Sequence, residues 1–117
     1  MRIGELAEKS GLSRDTIRFY ERNGLIASRP GESATNNYRD YPKENLRALA
    51  FFTMARDAGM SIADLRSIVE AMGEGCAPEA GRAVIQRKID EMTARAAQIE
   101  TVVAFLTRTL DSLDGTG

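Results

Sequence analysis

Apolar residues recur at helical spacing in five stretches of the chain, and one intervening stretch carries no period at all. Ile3, Leu6 and Ala7 mark the first helix, which Gly11 closes as a residue suited to the left-handed position beyond a helix end. The second begins at Ser13, an N-cap residue flanked by Leu12 and Ile17 at the staple positions, with Asp15 in its first turn. Residues 27–37 are a mixture of Ser, Pro, Gly, Thr and Asn, which predicts a loop or a short two-stranded hairpin; Asn36 and Asn37 tolerate the left-handed turn that such a hairpin needs. Pro42 and Glu44 suit the start of a third helix whose inward face is expected at Leu46, Leu49, Ala50 and Thr53, ending at Gly59. The joint Gly59-Met60-Ser61 then repeats the chemistry of Gly11-Leu12-Ser13. Ser61 caps the fourth helix, Asp64 takes the capping-box position and Leu65 faces Met60. Its apolar stripe is expected at Ile62, Leu65, Val69 and Met72, with Gly73 as the stop.

The fifth stretch is the most regular. Ile85, Ile89, Met92, Ala96, Ile99, Val103, Leu106, Leu110 and Leu113 are separated alternately by four and three residues, the period of a coiled-coil seam. A helix over residues 79–113 would be roughly 50 Å long at 1.5 Å per residue, and no other element of the chain is long enough to cover its stripe. A second copy is the expected cover. Burying about nine such side chains contributes on the order of 10 kcal/mol per chain before entropy is subtracted, so a homodimer is expected. The pattern thus predicts an all-α fold with a small β wing: residues 1–75 as a winged helix-turn-helix followed by a second helix pair, and residues 76–117 as a linker and a long dimerisation helix.

Composition narrows the function. With 117 residues the chain has room for a modest core, and its net charge of −1 conceals an uneven distribution. Residues 1–60 hold ten Lys/Arg against eight Asp/Glu, whereas residues 61–117 hold six against nine. The basic excess lies with the first two helices, the sign that suits phosphate. The sequence has no histidine and a single cysteine, which argues against an enzyme built on the common nucleophile and base pairs and against an intrachain disulfide. No apolar run approaches a membrane span and the first residues are charged, so a cytoplasmic location is expected.

Two short helices joined by Gly-Leu-Ser are the pattern of a helix-turn-helix, whose second helix enters the DNA major groove. In this chain that helix carries Arg14, Arg18 and Arg22 four apart, on one stripe. Tyr38 and Arg39 stand where a wing would lay a phenol and a guanidinium along a phosphate backbone, and Tyr41 is expected in the core. Arg56 stands near the second joint. An ordinary helical hairpin with a solvated basic face gives the same local pattern, and a coiled-coil protein-interaction module is the competing function.

The motifs I-G-E-L-A near the start, I-R-F-Y-E at residues 17–21, N-G-L-I at 23–26, Y-R-D-Y at 38–41 and A-R-D-A-G-M-S at 55–61, followed by the coiled coil, together resemble the MerR family of bacterial transcriptional regulators. The resemblance spans nearly the whole chain. It implies a winged helix-turn-helix, a second helix pair, and a long helix that pairs antiparallel with that of a dimer partner. It further implies binding to a pseudo-palindromic operator in double-stranded promoter DNA, repression by holding that DNA bent, and activation by untwisting it for RNA polymerase. The positions matching the family's DNA contacts are Ser13, Arg14, Thr16, Arg18, Phe19, Tyr20, Tyr38, Arg39 and Arg56.

Cys76 resembles the first cysteine ligand of the family's mercury, zinc, cadmium and lead sensors, whose other thiolates follow the coiled coil. No Cys or His follows Cys76 in this sequence. Three readings therefore stand side by side: an inert small apolar residue, a thiol that reacts with an electrophile or oxidant, and a ligand to one of those metals. A repressor without an effector is the further alternative.

Overall fold

The computed structural model describes residues 1–31, 38–73 and 75–115. The chain forms two compact units, Met1–Gly73 and Glu74–Gly117. In the first, α1 (Ile3–Ser10) and α2 (Arg14–Arg22) are followed by β1 (Arg29–Pro30), β2 (Arg39–Asp40), α3 (Glu44–Asp57) and α4 (Ile62–Met72). The second is the single helix α5 (Pro78–Gly115).

The caps read from sequence hold the first unit's turns. Gly11 adopts φ 75°, a conformation that costs any residue with a Cβ, and its amide donates to Ala7 O to close α1. Ser13 Oγ accepts from Thr16 N at 3.1 Å and starts α2. At the second joint Ser61 Oγ accepts from Asp64 N while Asp64 Oδ2 accepts from Ser61 N, both at 3.0 Å, a complete capping box. Each of the four helices then supplies one fully buried side chain to a common core: Leu6, Ile17, Leu49 and Leu65. Tyr41 is buried as expected.

Two helix faces differ from the sequence pattern. In α3 the buried residues are Asn45, Leu49, Phe52 and Ala55, whereas Ala50 and Thr53 are exposed and Leu46 is half-buried. Phe52 decides the rotation, because its ring stacks on Tyr20 with centroids 5.4 Å apart and carries more apolar area than the alternatives. Asn45 is admitted to the interior because its Nδ2 donates to Ala27 O at 3.1 Å. In α4 the inward pair is Leu65 and Ile68, and Met72 is 77% exposed. Gly73 ends α4 in an extended conformation, not the left-handed one.

Among the described residues the wing is two strands of two residues each. Its strands pair antiparallel as Arg29 with Asp40 and Pro30 with Arg39, and Gly31 N donates to Tyr38 O at 2.9 Å. Beside it, Tyr41 N donates to Met1 O at 2.6 Å and the Met1 amino group donates to Asp40 Oδ1 at 2.7 Å, so the chain start is tied to β2. The turn expected at Asn36 and Asn37 lies outside the described residues.

The 38 residues of α5 extend the predicted helix at both ends, and at 1.5 Å per residue it is about 57 Å long. Within the described residues of α5 only Gly81 is buried. Ile89, Ile99, Val103, Leu106, Leu110 and Leu113 are 52–70% exposed, Ala96 is exposed, and Ile85 and Met92 are half-buried. Val102 and Phe105 are also more than half exposed, which widens the apolar face beyond the heptad seam. Among the described residues no helix is long and apolar enough to cross a membrane.

Candidate nucleic-acid interface

The exposed side of α2 carries the basic row. Arg14, Arg18 and Arg22 are all exposed, Phe19 is 41% exposed between them, and Thr16 is half-buried with its hydroxyl accepting from Ser13 Oγ at 2.9 Å. Arg18 approaches Asp15 at 3.6 Å, a solvent-exposed pair worth little and easily exchanged for a phosphate. Arg14 lies flat across the start of α1: a Cβ on Gly4 would stand 2.8 Å from its Nη2, so glycine at that position leaves room for the guanidinium. Gly4 and Arg14 share a shallow depression with Arg2, Tyr38 and the carboxylates of Glu5 and Asp40. In it the Arg2 guanidinium sits 3.9 Å from the centroid of the Tyr38 ring, a cation–π contact that holds a cation beside the base of the wing. Tyr38 remains 54% exposed.

Three expected contact residues make contacts within the protein itself. Tyr20 is only 6% exposed, because its ring packs on Phe52 and Phe19 in the core and so leaves the exposed row. Arg56 donates from Nη1 to Met60 O at 2.9 Å and thereby ties the end of α3 to the start of α4. Arg39 turns back onto the wing's own base: its Nε donates to Ser28 Oγ at 2.8 Å and its Nη2 to Ser28 O at 3.3 Å.

Ser28 in turn donates to Glu21 Oε2 at 2.5 Å, and Tyr41 donates its hydroxyl to Glu21 Oε1 at 2.7 Å. Burial works against the Glu21 charge, but the hydroxyls of Ser28 and Tyr41 and the charge of Arg39 outweigh it and hold the carboxyl below its ordinary 4.5. The same arrangement pushes the Tyr41 phenol up to about 12, through burial first and then the hydrogen bond to Glu21 and its negative charge. Sequence reasoning missed Glu21 and Ser28 as partners, since nothing in their spacing links positions 21, 28, 39 and 41. It also missed Arg2, for which a basic residue before the first helix was the only signal. Arg66, a further exposed cation, donates to Asn23 O at 3.3 Å and Asn23 Oδ1 at 3.0 Å and braces the end of α2 from α4.

The metal reading of Cys76 does not fit the residues around it. Its sulfur is half-buried and donates to Ala77 O at 3.6 Å, and the described residues hold no group of three or more His, Cys, Asp or Glu placed to share a metal ion. Soft metals require several thiolate or imidazole donors.

The family described as "MerR HTH family regulatory protein" matches residues 1–72, and that described as "MerR, DNA binding" matches residues 46–109. The chain is 35% identical over 114 residues to the HTH-type transcriptional regulator HmrR of Rhizobium leguminosarum bv. viciae, covering 97% of this chain and 83% of that one. A putative MerR family transcriptional regulator from Listeria monocytogenes superposes with a TM-score of 0.81 at 33% identity, over 97% of this chain and 86% of that one. HiNmlR, a MerR family regulator lacking the sensor domain and bound to promoter DNA in its crystal structure, shares the fold at a TM-score of 0.53 and 23% identity, over 92% of this chain and 90% of that one. With these matches spanning both units, the chain belongs to the MerR family of DNA-binding transcriptional regulators.

Proposed function

We propose that this regulator acts as a homodimer on a pseudo-palindromic site in promoter DNA, with α2 in the major groove and the wing on the flanking phosphates. The single observation that carries this reading is the row of exposed cations on α2, Arg14, Arg18 and Arg22, continued by Arg2 and Tyr38 at the wing's base. At the start of the same helix the short side chains of Ser13 and Thr16 let the backbone approach the duplex, and Phe19 is exposed between Arg18 and Arg22. The uncovered apolar face of α5 supports pairing of two copies, which would match the twofold symmetry of such a site. Control of transcription then follows from the shape of the bound DNA: two readers fixed to one dimer bend or untwist the intervening base pairs so that RNA polymerase meets both promoter elements in register or out of it. HiNmlR, with which the chain shares its fold, is bound to promoter DNA in its own crystal structure.

The test is equilibrium binding to a duplex selected from a random-sequence pool, measured between 50 and 200 mM salt. Six or more phosphate contacts predict a loss of about 10³-fold or more across that range, and Arg14→Ala or Arg18→Ala should each lower the salt slope by roughly 0.9. Binding that is insensitive to salt, or unchanged in both variants, would favour the protein-interaction module instead.

A further inference from the structure

Among the described residues, the wing's own ladder is short. Its two strands are two residues long, and Pro30, one of those four residues, has no backbone N–H to contribute. A ladder that short is marginal in water, so contacts outside it help to set the wing: the chain start ties β2, and side chains join the wing to α2. One carboxylate stands at the junction. Glu21 comes from the last third of α2, Ser28 immediately precedes β1, and Arg39 and Tyr41 lie in and just after β2. Glu21 receives Ser28 Oγ at 2.5 Å and Tyr41 Oη at 2.7 Å, and Ser28 receives Arg39 Nε at 2.8 Å. Both covalent ends of the wing therefore converge on a single side chain of the helix that carries the basic row.

We propose that Glu21 is a positioning residue for DNA binding, which fixes the wing against α2 and aims the Arg39 guanidinium through Ser28. This rests on the DNA-binding reading above. The direction of the hydrogen bonds makes the relay specific. An ionised Glu21 accepts only, so the Ser28 hydroxyl proton must point to it, which leaves the oxygen lone pairs of Ser28 for Arg39. Two Arg39 nitrogens are anchored on Ser28, Nε and Nη2, and this fixes the plane of the fork while its outer edge stays at the exposed rim of the wing. Arg39 is thus held like a strut from within while it meets a phosphate from without. Without the relay it becomes a flexible cation that must be ordered at the moment of binding.

A double-mutant cycle on the full chain tests this, with the duplex recovered from the random pool as the probe. Glu21→Gln keeps the side-chain shape and removes the charge; Ser28→Ala removes the hydroxyl that joins Glu21 to Arg39 Nε, and leaves both charges and the Arg39 Nη2 bond to the backbone oxygen in place. Each should weaken binding about tenfold or more, the scale of a lost charge-assisted hydrogen bond, with a single cooperative unfolding transition that lies well above the assay temperature taken as the control for folding. Arg39→Ala in the wild-type background should lower the salt slope by about one; in either the Glu21→Gln or the Ser28→Ala background it should cost clearly less affinity than it does in the wild type. Arg14→Ala should add to Glu21→Gln independently, because no relay joins them. The inference is overturned if Arg39→Ala and Glu21→Gln are additive, or if Ser28→Ala binds like the wild type. If the wild-type chain itself shows no salt-dependent binding to any duplex, the DNA-binding reading fails, a result distinct from additivity in a chain that binds.

Discussion

The two units of this chain treat their apolar residues in opposite ways. In Met1–Gly73 four helices each commit a leucine or isoleucine to full burial, and the aromatic rings of Tyr20 and Phe52 close over them. In Glu74–Gly117 the apolar residues are as regularly spaced as any in the chain, yet they stand more than half exposed from Ile99 to Leu113. Regular spacing alone therefore does not mean burial. It defines a face, and whether that face is covered depends on whether the chain supplies a second surface of matching length. The first unit supplies its own, while the second asks for one of about 57 Å, which a second copy of the same helix would provide.

The strongest way to break this contrast is to make the exposed face of α5 polar. Leu106→Glu combined with Leu110→Glu places charges on the seam, where pairing would have to desolvate them. Sedimentation should show the wild type as a dimer and the variant as a monomer, and affinity for a duplex with two half-sites should fall by roughly 10²–10⁴-fold as the second reader is lost. A variant that stays dimeric would mean that the seam is not what joins the copies.

Next in size comes a contrast within the first unit. Leu49→Ala removes a fully buried side chain and should cost about 2–5 kcal/mol in denaturant unfolding, whereas Met72→Ala, at a position 77% exposed, should stay within about 0.5 kcal/mol. The sequence pattern places both residues on inward faces, so this pair separates the observed packing from the periodic one. Equal losses would return Met72 to the core.

The smallest expected effect sharpens the wing's place in the first unit. The folded-state carboxyl of Glu21 lies below its ordinary 4.5, so its contribution is fully present above that value and is lost as the pH falls through the lower folded-state pKa. The difference in melting temperature between the wild type and Glu21→Gln should therefore be greatest near about pH 6 and shrink on acidification. A difference that grows toward low pH would have the wrong sign.

Much of the fold was legible because it is written in short-range chemistry. Ser13 and Ser61 announce helix starts, Gly11 a helix end, and the alternation of four and three names the long helix. What escaped depends on contacts between residues far apart in sequence. The rotation of α3 follows from Phe52 meeting Tyr20, thirty-two positions away, and the admission of Asn45 to the core follows from the carbonyl of Ala27. Of the candidate interface, the basic row on α2 was legible from its spacing. The internal hydrogen bonds of Arg39 and Arg56 were not, because nothing in one dimension links Arg39 to Ser28 or Arg56 to the carbonyl of Met60. Tyr20 illustrates the same limit: it stands next to exposed Phe19 in sequence, yet one step around the helix is enough to bury it against Phe52.

The central claim is that two copies, joined through α5, present two basic α2 helices to one duplex. Its most direct test is selection of bound duplexes from a random-sequence pool by the full-length chain. Recovery of an inverted repeat with a fixed half-site spacing is expected. Recovery of a single unrepeated motif, or no enrichment at all, would contradict it.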